Sequence, residues 1–335
     1  MKASPLLRGL LWPLSLPYGL FVRVRAWLYA SGWLKQKRLR GTVVSVGNLT
    51  VGGTGKTPMV IWLAEKFLSD GKRVAILSRG YQGANGTSDE IELMKFRLQG
   101  RVAFGVDKNR FAEGQRLESQ QPIDVFLLDD GFQHLQLARD LDILLMDASR
   151  RLAGEALLPA GRLREPLSAM SRANILVFTR TENMPEAVDA IQKLNQFPVF
   201  AAATQLVGFR RLGGEVSLLS TSEIGTGPFF AFCGLGNPNA FFRDLHNWGL
   251  AVCGQMTFPD HHRYTEKDVL QIQQGAKRAG ANAFVTTEKD EQNLAGMGLD
   301  HASVYVSVID LVVSPEADFK SALDQTLQRT TGAAA

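Results

Sequence analysis

From residue 42 onward, short apolar runs rich in β-branched residues alternate with stretches of helical pattern. An alternation of buried-type strands and helices is typical of a parallel α/β sheet. The helical stretches lie near 57–69 and 107–119. The pattern predicts strands at the runs TVVSV, RVAILS, VFLLDD, LDILLMDA, NILVFT and FPVFAAA.

The pattern changes at residue 205, where QLVGFRRLGGEVSLL forms two short runs that meet at Gly213 and Gly214. These runs predict a β-hairpin, which we interpret as a two-stranded hinge between domains. Beyond it, the runs FFAFCGL, LAVCGQM, NAFVTT and SVYVSV predict a smaller α/β domain that ends in a helix near 315–328.

The length of 335 residues and the hydrophobic content of 45% allow a separate core in each of two domains. The two cysteines, Cys233 and Cys253, form no CxxC pair, which fits a reducing compartment. We expect an N-terminal arm over 1–40, a domain over 41–204, a hinge over 205–220 and a second domain over 221–335.

Charge is distributed unevenly along the chain. The net charge is +4, yet residues 1–40 carry eight positive charges and the first acidic residue is Glu65, so the remainder sums to −4. A nucleic-acid-binding protein would place its basic residues along a folded face instead. We therefore expect no nucleic-acid partner, and we expect a monomer.

The arm contains GLLWPLSLPYGLFV, fourteen uncharged residues between Arg8 and Arg23 that include Pro13 and Pro17. This run is too short to span a bilayer, which takes about 20 apolar residues. Aromatic and basic residues around it predict a peripheral anchor on an anionic cytoplasmic membrane leaflet. The alternatives are a signal peptide, a transit peptide, or a helical pair that packs on the protein body.

A glycine-rich turn, SVGNLTVGGTGKTP, follows the strand TVVSV and precedes a predicted helix, which is the context of a P-loop. Lys56 would reach the β- and γ-phosphates of a nucleotide, and the Thr57 hydroxyl would bind Mg²⁺. Thr50 stands where the pattern G-x-x-x-x-G-K-S/T has its first glycine. The expected nucleotide-binding residues are Thr50, Gly52, Gly53, Thr54, Gly55, Lys56 and Thr57.

An acidic pair, Asp129 and Asp130, follows the apolar strand in IDVFLLDDGFQH. The carboxyl end of a strand is where α/β sheets bind ligands, so one of the two carboxylates would ligate Mg²⁺. The alternative is a polar pair that ends the strand and caps the next helix.

These motifs together resemble the tetraacyldisaccharide 4'-kinase family, the lipid A 4'-kinases. The resemblance covers nearly the whole chain and implies a P-loop NTPase-type, mostly parallel sheet domain joined to a smaller α/β domain. In that family threonine occupies the position of the absent first glycine. The shared motifs are VGNLTVGGTGKTP, LSRGY, DDGFQH, LLPAGRLREP, GLGNP, FPDHH and TTEKD.

The resemblance implies a kinase that uses ATP and Mg²⁺. Its acceptor would be the 4'-hydroxyl of an acylated glucosamine disaccharide at the inner face of a Gram-negative inner membrane. The family's catalytic aspartate falls on Asp89 and its partner histidine on His261, an acid–base pair for the acceptor hydroxyl. Ser88 and Ile91 stand where the family usually has glycine and proline.

Further polar residues lie on loops that follow strands or open helices. Arginine suits phosphate oxygens because its guanidinium is planar. Glu165, in the loop segment LREP, is expected among the Mg²⁺ ligands. The residues expected to bind the acceptor are Asn48, Arg79, Tyr81, Arg110 and Arg164.

Two other hypotheses remain open from the sequence. A membrane-cycling switch ATPase with a deviant P-loop would carry a lysine before the paired glycines, where this chain has Val51. A binding-only module with a vestigial P-loop would not need the complete set of Lys56, Thr57, Asp129 and Asp130.

Overall fold

The computed structural model describes residues 5–80, 88–150, 154–181, 198–214, 217–294, 298–299 and 303–332. The chain forms two compact units. The first consists of 1–80, 98–204 and 311–335, and the second consists of 81–97 and 205–310.

The first unit contains a parallel sheet with the strand order β3-β2-β4-β1-β5-β6-β7. Strands β1 and β4 are neighbours in register, with Val46 opposite Asp129, so the P-loop and the acidic pair lie at the same sheet edge. The predicted P-loop NTPase-type α/β fold is confirmed. The strands are β1 Thr42–Asn48, β2 Val74–Ser78, β3 Ala103–Val106, β4 Val125–Asp129, β5 Leu141–Asp147, β6 Ile175–Thr179 and β7 Val199–Arg211.

Helices in the first unit are Pro5–Ala30, Lys56–Ser69, Arg110–Gln120 and Glu316–Gly332, with a 3-10 turn at Leu167–Arg172. Helix Pro5–Ala30 is continuous through Pro13 and Pro17. Ser15 lies between the two prolines. Its hydroxyl donates to the Leu157 carbonyl and accepts from the Ala160 amide, so this part of the helix is attached to the loop 155–165. None of the described helices combines the length and the apolar character needed to cross a membrane.

The second unit contains the parallel strand order β11-β10-β8-β9. Its strands are β8 Phe229–Cys233, β9 Val252–Thr257, β10 Ala283–Thr287 and β11 Val304–Ser314. Its helices are Asp89–Leu98, Thr221–Ile224, Pro238–Asn247, Glu266–Ala279 and Glu288–Leu294. The longest of them begins at a capping box of Thr265 and Asp268 and ends at Gly280 with φ 71°.

The compact units differ from the expected domains in two segments. Helix Glu316–Gly332 belongs to the first unit, where Phe319 packs on Phe200 with ring centroids 5.0 Å apart. Residues 81–97, with Asp89, belong to the second unit, where Arg97 donates to Glu288. Sequence order does not reveal these placements because each depends on partners more than a hundred residues away.

The hairpin expected at 205–220 does not consist of two short strands. Its first arm is the end of the long strand β7, and Phe209 and Leu219 form an antiparallel bridge by exchanging both backbone hydrogen bonds. Strands β7 and β11 each contribute residues to both units. The boundaries of the hinge itself remain a prediction.

Candidate active site

The P-loop connects β1 to helix Lys56–Ser69 through backbone conformations that glycine favours. Gly52 has φ 110°, and Gly55, the residue before the helix, has φ 81°. Side chains rarely occupy this region, so glycine is needed at both positions. The Thr179 hydroxyl donates to the Thr54 carbonyl at 3.1 Å and fixes the loop to β6.

Asn48 lies inside the P-loop. It is fully buried, and its amide nitrogen donates to the Thr54 hydroxyl at 2.8 Å. The amide nitrogen is thus bound within the loop, whereas Asn48 Oδ1 has no hydrogen-bond partner among the described residues. Its contact with the acceptor stays a prediction. Thr50 is also buried, and it forms an antiparallel bridge with Leu163.

The acidic pair is joined to the P-loop lysine. Lys56 Nζ lies 3.5 Å from Asp130 Oδ1, and Arg164 donates to Asp130 Oδ2 at 2.6 Å. Burial acts to raise the pKa of Asp130, but the positive charges of Lys56 and Arg164 outweigh it and the pKa is lowered. Asp129 accepts from the Ser78 hydroxyl at 3.1 Å, and burial followed by the charge of Asp130 raises its pKa.

A basic cluster lies beside the acidic pair. Arg110 is buried and donates to the Asp130 carbonyl at 3.2 Å, while its Nε has no hydrogen-bond partner among the described residues. His134 Nε2 likewise has none in that part of the chain. Burial, then the charges of Arg110 and other arginines including Arg79, lower the pKa of His134 to about 4. Tyr81 lies outside the described residues.

The second unit brings together Asp89 and His261, which the sequence could only pair by resemblance. His261 Nδ1 lies 2.8 Å from Asp89 Oδ1 and 3.1 Å from Oδ2. Burial acts to raise the pKa of Asp89, but the hydrogen bond from His261 and nearby positive charge outweigh it and the pKa is well below its usual range. His261 has φ 60°, a conformation that is uncommon outside glycine.

Comparison with known proteins gives one family. A model of the family described as tetraacyldisaccharide-1-P 4'-kinase, LpxK, matches residues 7–328. A tetraacyldisaccharide 4'-kinase from Geobacter metallireducens is 37% identical over 340 residues, which cover 96% of this chain and 99% of the relative. One from Pelobacter propionicus is 38% identical over 343 residues, which cover 96% and 93%. The chain belongs to the LpxK family.

A solved structure agrees with this assignment. LpxK from Aquifex aeolicus, crystallised in complex with ATP, superimposes with a TM-score of 0.77 at 32% identity, over 96% of this chain and 99% of that one. The predicted resemblance is confirmed. The chain is an ATP-dependent kinase of lipid A biosynthesis that transfers phosphate to a hydroxyl group, so the comparisons favour the kinase over the switch ATPase.

This chain has oxygen ligands that fit a magnesium ion beside the P-loop. Asp130 Oδ1 is buried without a hydrogen-bond partner in the described part of the chain, and hydroxyl and carboxylate oxygens are the ligands that Mg²⁺ prefers. Thr57, Asp129 and Asp130 supply such groups.

Glu165 has a different environment from the one we expected. Both of its carboxylate oxygens accept from Arg172, at 2.7 and 3.0 Å. The carboxylate is buried, and each of its oxygens accepts one hydrogen bond in the ion pair with Arg172, so we expect Arg172 to compete with a metal for Glu165.

Sequence reasoning missed two charged residues beside Asp89. Lys289 Nζ lies 2.8 Å from Glu90 Oε1 and 3.8 Å from Asp89 Oδ2, and Glu90 Oε1 is 3.5 Å from His261 Nε2. Lys289 belongs to the TTEKD motif. The motif marks this segment in the sequence, but only the folded structure shows that Lys289 is the residue that faces Asp89.

Proposed function

We propose that this LpxK-family kinase transfers the γ-phosphoryl group of ATP to the 4'-hydroxyl of a tetraacylated glucosamine disaccharide 1-phosphate. The observation that carries the proposal is the hydrogen bond between His261 and Asp89. A sugar hydroxyl is a weak nucleophile at neutral pH, and a carboxylate oriented by a histidine provides an acceptor for its proton.

Each bond change in the proposed reaction has an assigned group. As the acceptor oxygen bonds to the γ-phosphorus, its proton passes to the Asp89–His261 pair, and the bond from phosphorus to the bridging oxygen of ADP breaks. Lys56 and the backbone of residues 50–57 hold the phosphates. Magnesium, held by Thr57 and the acidic pair, would neutralise charge on the phosphate oxygens.

The basic cluster supports binding of an anionic acceptor. Among the described residues, Arg110 has a buried N–H group without a hydrogen-bond partner, and His134 has a ring nitrogen without one in the same part of the first unit. A phosphate has oxygens that accept from such donors. We therefore assign the acceptor's 1-phosphate to the cluster of Arg79, Arg110 and His134.

Helix Pro5–Ala30 supports action at a membrane surface. One side contacts the body of the first unit, where Tyr18 donates to the Arg164 carbonyl at 2.8 Å. A contiguous apolar surface flanked by arginines is typical of interfacial helices. The helix leaves a set of large apolar side chains exposed, namely Leu10, Trp12, Leu14, Leu16, Leu20, Phe21 and Trp27. We propose that this surface rests on the cytoplasmic face of the inner membrane, where the acylated acceptor resides.

A transfer assay tests the proposal. Full-length protein is incubated with labelled ATP, Mg²⁺ and the tetraacylated disaccharide 1-phosphate in detergent, and label is expected in the lipid at the 4'-position. Lys56→Ala should lose both ATP affinity and turnover. ATP consumption without a labelled lipid would instead support the switch ATPase.

A further inference from the structure

The TTEKD motif at 286–290 is fixed in place by its own side chains. Thr287, at the end of β10, donates its hydroxyl to Asp290 Oδ2 at 2.6 Å. Asp290 Oδ1 accepts from the Gly234 amide and the Tyr264 hydroxyl, both at 2.8 Å. The short helix Glu288–Leu294 therefore has a defined orientation in the second unit, although none of these contacts involves the proposed reaction directly.

Two adjacent residues of this motif hold the two ends of helix Asp89–Leu98. In the last turn, Arg97 Nη1 donates to both carboxylate oxygens of Glu288 at 3.2 Å. In the first turn, Lys289 lies 2.8 Å from Glu90 and 3.8 Å from Asp89. The short helix Glu288–Leu294 thus fixes the direction of helix Asp89–Leu98 and places a positive charge beside Asp89.

The first turn of that helix places two carboxylates side by side in a poorly solvated position. The side chains of Asp89 and Glu90 are only 7% and 22% exposed. Like charges in such a position resist joint ionisation, and one of them tends to keep a proton. The Lys289 ammonium lies within 4 Å of both carboxylates, as does the His261 ring.

We propose that Lys289 is a positioning residue whose ammonium offsets the negative charge of Glu90 beside Asp89, so that Asp89 stays ionised and free to accept the proton of the acceptor hydroxyl. The proposal rests on the proposed role of Asp89. It gives the TTEKD motif an electrostatic purpose in addition to its packing.

The charged groups around Asp89 all bear on its titration. They are Glu90 from the same helix, His261 from the loop after β9, and Lys289; Asp260 lies 3.9 Å from His261 Nε2. The Lys289 charge lowers the pKa of both Asp89 and His261. Its removal therefore raises both. Because the pKa of Asp89 lies well below its usual range, we expect His261 to set the acidic limb between pH 5 and 9, and this limb moves upward.

The first experiment measures kcat for lipid phosphorylation by the full chain between pH 5 and 9. For Lys289→Met we expect the acidic limb to move up by about one pH unit or more. The rate would be about tenfold lower than that of the native protein at the low end and would approach it at the high end. Lys289→Arg should restore the native profile, and Lys277→Met, a change at an exposed lysine of the same unit, should leave it unmoved.

A double variant separates charge from packing. Glu90→Gln combined with Lys289→Met removes both the second carboxylate and its partner, so the limb should return toward its native position. If Lys289 were needed only for packing, the double variant would be at least as impaired as Lys289→Met at every pH.

A readout that does not depend on the acceptor separates this proposal from the proposed function. In NMR titrations, the His261 pKa should rise in Lys289→Met and fall in Glu90→Gln, because the carboxylate of Glu90 raises it. Failure of the native protein to phosphorylate the lipid would overturn the proposed function. The role of Lys289 would be overturned by an unchanged His261 pKa in both variants. It would also be overturned if the acidic limb of the pH–rate profile stayed in place while the rate dropped equally at all pH values.

Discussion

His261 Nδ1 lies within 3.1 Å of both carboxylate oxygens of Asp89, although the two residues are 172 positions apart in the chain. A single ring nitrogen thus restrains both oxygens of the carboxylate. The arrangement orients the ring and favours its protonated form, because the hydrogen bond to Asp89 outweighs the opposing effect of burial. Two predictions come directly from this contact.

Replacing Asp89 by asparagine should lower kcat by about 10²- to 10⁴-fold, the usual contribution of a general base. The KM for ATP should stay within about twofold, because the proton acceptor acts on the transition state. Steady-state kinetics of phosphate transfer measure both. The matched control is Asp268→Asn, since Asp268 accepts from His262 and Thr265 in the same unit. A large rise in KM with an unchanged kcat would contradict the assigned role.

The His261 pKa should lie above its usual value of 6.5 and fall in Asp89→Asn, as measured by NMR. Because the pKa is raised on folding, the contact stabilises the folded chain fully below about pH 6.5, and this contribution is lost as pH rises through the higher folded value. The destabilisation caused by His261→Gln should therefore be larger at pH 6 than at pH 9. Equal destabilisation at pH 6 and pH 9 would show that His261 is not protonated in its contact with Asp89.

Glu165→Ala should reduce stability and leave the magnesium requirement unchanged. Breaking a buried ion pair leaves the Arg172 guanidinium without its carboxylate and costs on the order of 3 kcal/mol. Thermal unfolding measures the first effect, and the Mg²⁺ dependence of turnover measures the second. Asp130→Asn provides the contrast, because it should raise the Mg²⁺ concentration needed for half-maximal rate. An equal rise in Glu165→Ala would support the metal role predicted for Glu165.

Leu16→Ser combined with Leu20→Ser should weaken binding to vesicles that contain anionic lipid. Both side chains are more than half exposed, so their loss removes apolar area from the membrane contact without altering the hydrogen bonds of Ser15 and Tyr18. Co-sedimentation measures binding, and Leu218→Ser changes an exposed leucine of the second unit as the control. Undiminished sedimentation of the double variant would rule out this face as the anchor.

Six of the seven strands in the first unit were predictable from the sequence because each contains a continuous apolar run, whereas β3, Ala103–Val106, was not among the predicted runs. The run TVVSV became Thr42–Asn48, buried from Val43 onward, and VFLLDD became Val125–Asp129, buried along its length. The proline-containing helix Pro5–Ala30 was less evident, since proline usually breaks a helix and the hydrogen bonds that hold this one come from distant residues at 133, 155 and 157–164.

Residues of the candidate site were predictable from the sequence only where they lie together in one motif. The P-loop residues are consecutive, so Gly52, Gly55 and Lys56 could be identified from spacing alone. Asn48 and Glu165 have polar side chains that look available in the sequence, but Thr54 and Arg172 bind them in the structure. Such competition between partners depends on three-dimensional proximity, and so does the position of Lys289 beside Asp89.

The wide separation of Asp89 and His261 along the chain has a consequence for synthesis. At about 5 to 20 residues per second, a ribosome adds His261 roughly 9 to 34 seconds after Asp89, because 172 positions separate them. During that interval the nascent polypeptide contains the P-loop sequence but no partner for the aspartate. A message cut short anywhere before codon 261 would therefore yield a product that lacks the Asp89–His261 pair and cannot phosphorylate the lipid.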